Sequence, residues 1–183
     1  MNNMASADDF KPSSVSTSQL SKILVAVLAN PSTTGGDRTR KRIALAAEVL
    51  GYDGYRITNL FSIASASSRE VAALGKGPQG WYTARVDILD GIKEAEGVLL
   101  GFGIIATSGD GKHHLRAQLS WLCAELQNAG HAEVWQLGER PRHPSRWHQY
   151  VSDLHGRTSG GAFEERLSKA LRLVDLAEVK WQF

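Results

Sequence analysis

The sequence predicts an α/β domain, a three-layer α/β/α sandwich built on a central, mainly parallel four-stranded sheet. Three observations predict it. The run Ile23-Leu24-Val25-Ala26-Val27-Leu28-Ala29 is continuously aliphatic, as a strand buried on both faces requires. Short apolar runs then alternate with segments of helical period, the pattern of βαβ units with right-handed crossovers. The 183 residues, 42% hydrophobic and 22% charged, suit one globular domain with a tail.

Residues 1–22 are the expected tail. They are rich in serine and poor in apolar side chains, so burial cannot offset their chain entropy. They also lack the basic start and apolar stretch of a secretory signal, which makes the cytoplasm the expected location. Residues 23–183 form the expected domain. The first strand ends at Asn30-Pro31. A helix follows over 37–50, with Ile43, Ala46, Ala47 and Leu50 on one face and Gly51 as its stop. Residues 55–59 read as the second strand. The stretch 62–81, with Gly75, Gly77, Pro78 and Gly80, reads as a long irregular loop of the kind that carries function. Val86, Leu89 and Ile92 mark a helix over 82–95, and 97–102 is the third strand. Leu115, Leu119, Leu122, Cys123 and Leu126 make an apolar stripe on a helix over 114–128. Residues 133–137 are the fourth strand. Phe163, Leu167, Leu171 and Val174 predict a final helix over 161–176.

Several classes of function are excluded. The longest apolar run is far short of the ~20 residues of a membrane span. A single cysteine, Cys123, allows neither an intramolecular disulfide nor a cysteine zinc cluster. Gly111-Lys112 does not make a phosphate loop, because Ala106 and His113 stand where glycine and Ser/Thr are needed. No metal site and no cofactor is expected.

Ligands of open parallel sheets bind beyond the carboxyl ends of the strands. There this chain places Asn30-Pro31-Ser32, Asn59-Leu60-Phe61, Gly101-Phe102-Gly103 and His143-Pro144-Ser145-Arg146-Trp147. Each residue alone also suits a structural role, such as a turn cap for Asn30 or core packing for Phe102. Their convergence favours chemistry. Two basic clusters begin on the same edge. Arg38, Arg40, Lys41 and Arg42 face only Asp37, and Arg140, Arg142, Arg146 and Arg157 face Glu139 and Asp153, with His143, His148 and His155 among them. A basic rim around a cleft is the footprint of phosphate-backbone binding.

The ordered motifs Asn30-Pro31-Ser32, Asn59, Leu99 to Gly103 and His143-Pro144-Ser145 resemble the uracil-DNA glycosylase superfamily, in its mismatch-specific, asparagine-type version, over residues 23–150. They are also similar to those of an uncharacterised prokaryotic and phage domain family with N-P-S-T, N-L-F and histidine-proline motifs. The first resemblance implies a uracil-DNA-glycosylase-like sandwich and a monofunctional hydrolase that flips a base out of double-stranded DNA and leaves an abasic site. It implies that Asn30 positions the attacking water and that His143 stabilises the departing base. It also implies that Asn59 reads the base edge, with Ser32, Phe61 and Phe102 in the base pocket. Arg38, Arg40, Lys41, Arg42, Arg142, Ser145 and Arg146 are then the expected DNA contacts, and Trp147 stands where the family carries its wedge. Helix packing suits Trp147 equally well.

No aromatic follows Pro31, and Ser32, Thr33 and Thr34 supply hydroxyls instead. A modified pyrimidine with a polar 5-substituent is therefore the expected target, in DNA repair or in antiviral defence against phages with modified DNA. The protein is expected to act as a monomer without a membrane partner. The alternatives are a non-catalytic module that binds nucleic acid or a nucleotide, and a hydrolase of free nucleosides.

Overall fold

The computed structural model describes residues 21–66, 68–152 and 160–181. Most of the expected tail, together with Asp153, His155 and Arg157, lies outside the described residues. The chain runs β1 (Ile23–Leu28), α1 (Asp37–Val49), β2 (Gly54–Asn59), α2 (Ser68–Leu74), α3 (Gln79–Glu94), β3 (Gly97–Leu100), α4 (Gly109–Asn128) and β4 (Glu133–Leu137). A 3-10 turn (Pro144–Arg146), α5 (Trp147–Tyr150), α6 (Phe163–Ala170), β5 (Leu171–Asp175) and a second 3-10 turn (Leu176–Glu178) complete it.

One sheet of order β2-β1-β3-β4-β5 holds these strands. The first four pair in parallel, and β5 runs antiparallel to β4. The continuous apolar run of β1 has a direct explanation. Val25 and Val27 point into one core with Ile88 of α3 and Leu119 and Leu122 of α4, whereas Leu24, Ala26 and Leu28 point into another with Ile43 and Ala46 of α1 and Leu167 of α6. Successive strand side chains face opposite ways, so a central strand with helices on both sides must be apolar throughout. The three-layer sandwich is thus present.

Among the described residues the sheet has five strands, not the expected four. Leu171–Asp175, expected as the end of a helix, leaves the α6 axis at Leu171 with φ −70° and ψ 130° and zips onto β4 from Leu171↔Leu137 to Asp175↔Glu133. The spacing of Phe163, Leu167 and Leu171 fits a helix, but the backbone groups on the outer edge of β4 need partners, and this segment supplies them. Residues 62–81 also hold more structure than expected. They contain α2 and the start of α3, fixed by buried Trp81, whose Nε1 donates to the Gly75 carbonyl at 2.9 Å. Among the described residues no helix is long and apolar enough to cross a membrane.

The order of the strands locates a crevice. From β1 the chain moves outward to β2 through α1 on one face, then returns past β1 to β3 through α3 on the other. The carboxyl ends of β1 and β3 therefore flank a topological switch point, where crossover segments leave in opposite directions and a gap opens.

Candidate functional site

A cleft of about 1140 Å³ occupies this switch point. Asn30, Pro31 and Ser32 after β1 line it, with Asn59 at the end of β2, Phe102 and Gly103 after β3, and Arg140 to His143, Ser145 and Arg146 after β4. The segment from Thr34 to Arg40, which enters α1, closes another side. Four separate strand ends thus meet at one site.

Asn30 is held in a single orientation. Its Nδ2 donates to the carbonyl of Pro31 at 2.8 Å, the carbonyl of Ser65 at 3.1 Å and Ser65 Oγ at 2.8 Å. Carbonyls only accept, so the amide nitrogen must face them and Oδ1 is left as the atom a ligand can use. The support is a short piece of sheet. Ser32 and Ser65 form a parallel bridge, and the Ser65 N–H donates to the Pro31 carbonyl at 3.1 Å. Ser32 Oγ accepts from the Thr34 N–H at 3.2 Å and lies 3.3 Å from Thr34 Oγ1, a turn that aims two hydroxyls at the cleft wall.

Asn59 carries a buried Oδ1 with no hydrogen-bond partner among the described residues. An unpaired buried acceptor costs about 1–3 kcal/mol, which native structures concentrate at sites with another use for the group. The chain just beyond it is fixed from below. Buried Gln118 of α4 donates through Nε2 to the Leu60 carbonyl at 3.1 Å and accepts from Arg85 Nε at 2.9 Å.

His143 caps the 3-10 turn that follows it. Its Nδ1 accepts from the Ser145 N–H at 3.2 Å and lies 2.9 Å from Ser145 Oγ. With Nδ1 accepting, the proton of the neutral ring sits on Nε2. Burial lowers the imidazole pKa, and the positive charges of Arg146 and Arg42 lower it further. The neutral Nε2–H donor is therefore the form present at neutral pH. Gly103 is what lets the β3 loop reach this turn: its φ is 68°, and a Cβ there would stand 2.9 Å from His143 Cβ.

The low imidazole pKa predicts a pH dependence of stability. Below the ordinary value of about 6.5 the unfolded chain takes up a proton before the folded one does. The His143 contribution should thus be complete above that pH and diminish as pH falls from about 6.5 toward the lowered folded value. Denaturant midpoints from pH 5 to 8 should show a shallower acid limb for His143→Gln than for the wild type. Identical limbs would show that His143 titrates normally.

The cleft is electropositive. Among the described residues, Arg38, Arg40, Arg140, Arg142 and Arg146 line it against one acid, Asp37, which pairs with Arg40. Arg142 lies with its guanidinium carbon 4.0 Å from the centre of the Tyr150 ring.

Some expected site residues lie elsewhere. Trp147 is fully buried against α1 and α6, and its Nε1 donates to the Arg142 carbonyl at 2.8 Å. It packs the core and braces the turn behind His143, so it does not project as a wedge. Phe61 is also fully buried. It turns under the sheet onto Trp81, with ring centroids 4.8 Å apart, and presses on Gly80. Phe102 borders the cleft but is only 2% exposed, and its ring stacks on Trp181 at 6.2 Å. Lys41 and Arg42 do not line the cleft. Arg42 donates to the Pro144 carbonyl and lies 3.2 Å from His148 Nδ1, tying α1 to the histidine turn. Arg140 belongs to the basic rim expected on this edge, and one further contributor was not expected. Ser65 had no local signal, since its role depends on a residue 35 positions away. Among the described residues no group of three or more His, Cys, Asp or Glu side chains is placed to hold a metal ion.

The chain belongs to the DUF1643 family, described as "Protein of unknown function", whose family model matches residues 14–145. The match spans β1 to the histidine turn and includes every cleft residue named above except Arg146. Comparison with curated proteins and with solved structures gives no match.

Proposed function

We propose that the cleft is the active site of a monofunctional DNA glycosylase, which hydrolyses the N-glycosidic bond of a flipped pyrimidine and leaves an abasic site. The observation that carries this reading is the meeting of the Asn30 Oδ1 acceptor, the Asn59 amide and a neutral His143 in one arginine-rimmed crevice at the switch point. The glycosylase-like form of the sandwich is part of the same proposal.

The chemistry needs little more than these groups. As the bond between C1′ and the base nitrogen breaks, its electron pair leaves with the base and positive charge grows on the sugar. The Nε2–H of His143 is a donor for the base oxygen that gains negative charge, an oxyanion-type contact in a site partly shielded from water. A water held by Asn30 Oδ1 adds its oxygen to C1′ and releases a proton to solvent, while the departing base takes one up. A strong general base is unnecessary because the sugar cation is itself highly electrophilic. Asn59 lines the cleft and can donate through its amide nitrogen to an acceptor on the polar edge of the base. Since Trp147 is core, the duplex gap would be filled by another group. Ile104 is 57% exposed on the cleft rim and is an apolar side chain of the kind that wedges into base steps.

Among the described residues no aromatic side chain neighbours Pro31 in the chain, and Ser32 and Thr34 present hydroxyls to the cleft there. A pyrimidine carrying a polar 5-substituent fits that wall, and a site built to hydrogen-bond such a group discriminates against the plain base. Defence against phages with modified DNA would be a natural setting, with repair as the other. The test is incubation with duplexes carrying uracil, thymine mismatches, or hydroxymethylated or glucosylated cytosine, followed by mild alkali. Strand breaks at the modified cytosine are expected. Breaks only at uracil would overturn the substrate assignment, and none anywhere would overturn the activity.

The rim yields a separate expectation. Arg38 and Arg146 should each neutralise a phosphate, so the Arg38→Ala, Arg146→Ala double variant should bind all sequences more weakly. Its slope of log affinity against log salt should fall by roughly 2, at about 0.9 per phosphate on duplex DNA. An unchanged slope in filter-binding or anisotropy titrations would remove these two residues from the DNA path.

A further inference from the structure

We propose that the groove between α1 and the start of α6 is a second nucleotide subsite, which holds the nucleotide next to the one in the main cleft; this rests on the reading that the main cleft takes a nucleotide. The groove is a cavity of about 440 Å³ lined by Asp37, Arg38, Lys41, Arg42, Leu45 and Phe163. Its size lies within the range of small-ligand sites, roughly 300–1,000 Å³.

Its composition indicates the occupant. Arg38 and Lys41 are exposed and have no hydrogen-bond or ion-pair partner among the described residues. Asp37 is answered by Arg40 on the cleft side, and Arg42 is engaged with Pro144 and His148. Phe163 is half-buried, with the Arg42 guanidinium carbon 5.7 Å from its ring centre, and Leu45 adds apolar surface. Glu164 and Glu165 follow Phe163 but do not line the groove. Cations for the backbone beside an aromatic ring for a base are the combination that binds single-stranded nucleic acid.

Contiguity fixes the register. Asp37 and Arg38 border both cavities, and Lys41 and Arg42 lie about one helical turn further on, ~5.4 Å along the axis, with Leu45 about one turn beyond them. A single phosphodiester linkage spans that distance. Arg38 then meets the phosphate between the two nucleotides, Phe163 takes the neighbouring base, and Lys41 meets the phosphate beyond.

The test compares thymidine 5′-monophosphate with the 5′-phosphorylated thymidine trinucleotide by calorimetry on the full chain. The wild type should bind the trinucleotide at least tenfold more tightly. Phe163→Ala and Lys41→Glu should each abolish most of that gain and leave the affinity for the monophosphate unchanged. Lys41 is exposed on a helix, so its replacement does not disturb packing and keeps the test valid if Phe163→Ala fails to fold. A gain that survives Lys41→Glu, or no gain in the wild type despite monophosphate binding, overturns the subsite alone. Failure of the wild type to bind either compound overturns the reading of the main cleft, and the subsite with it.

Discussion

Replacing Asn30 or His143 with alanine is expected to slow base release by ~10²–10³-fold each, with duplex affinity nearly unchanged. The two losses have different causes. At position 143 the transition state loses the donor that meets the developing charge on the base, an interaction far weaker in the ground state. His143→Gln restores a side-chain donor and should recover part of the rate. At position 30 the water loses its acceptor, and Ser65 loses the amide that ties it to the β1 loop. Asn30→Asp is the informative partner. A carboxylate cannot donate to the Pro31 and Ser65 carbonyls, so this variant should not rescue, although it keeps an acceptor. Single-turnover rates on an oligonucleotide with one target base, read beside binding isotherms, check these expectations. Loss of binding in parallel with rate would reassign both residues to substrate affinity.

Trp147→Ala is expected to destabilise the fold by about 3–5 kcal/mol, the range for deleting a fully buried aromatic. That is a large part of a typical domain stability of roughly 5–15 kcal/mol. The indole fills the layer among α1, α6 and the sheet, and its Nε1–H satisfies the Arg142 carbonyl beside the histidine turn. Trp147→Phe keeps most of the volume and loses the donor, so it should cost less than half as much. Urea denaturation of the three proteins checks this. A change below about 1 kcal/mol for Trp147→Ala, accompanied by a specific defect in base extrusion, would instead return the side chain to the DNA interface.

The parts of the fold that were legible are those in which local pattern and tertiary demand agree. The aliphatic run of β1, the apolar stripe of α4 and the glycine stop after α1 each state their own structure, and the strand ends follow from them. β5 was hidden because Leu167 and Leu171 keep helical spacing across the point where pairing with β4 takes over. For the site, position was readable and direction was not. Asn30, Asn59 and His143 reach the cleft as their strand ends require. Phe61, two residues past Asn59, turns down onto Trp81, since the loop conformation and not strand alternation aims it. Trp147 and Phe102 illustrate the same limit. A large aromatic near a site is drawn to the core by its apolar area unless a surface feature holds it out, and here Arg142 and Trp181 offer inward partners.

The most direct measurement is of the released base. Wild-type protein, and a variant carrying both Asn30→Ala and His143→Ala, would be incubated with duplex DNA containing glucosylated hydroxymethylcytosine. Free base would then be quantified by mass spectrometry, and abasic sites counted in the same samples. The wild type should release one free modified base per abasic site, while the double variant binds the duplex and releases almost none. Binding of the duplex by the wild type with neither free base nor abasic sites would contradict the account and leave the cleft as a nucleic-acid binding site without glycosidic chemistry.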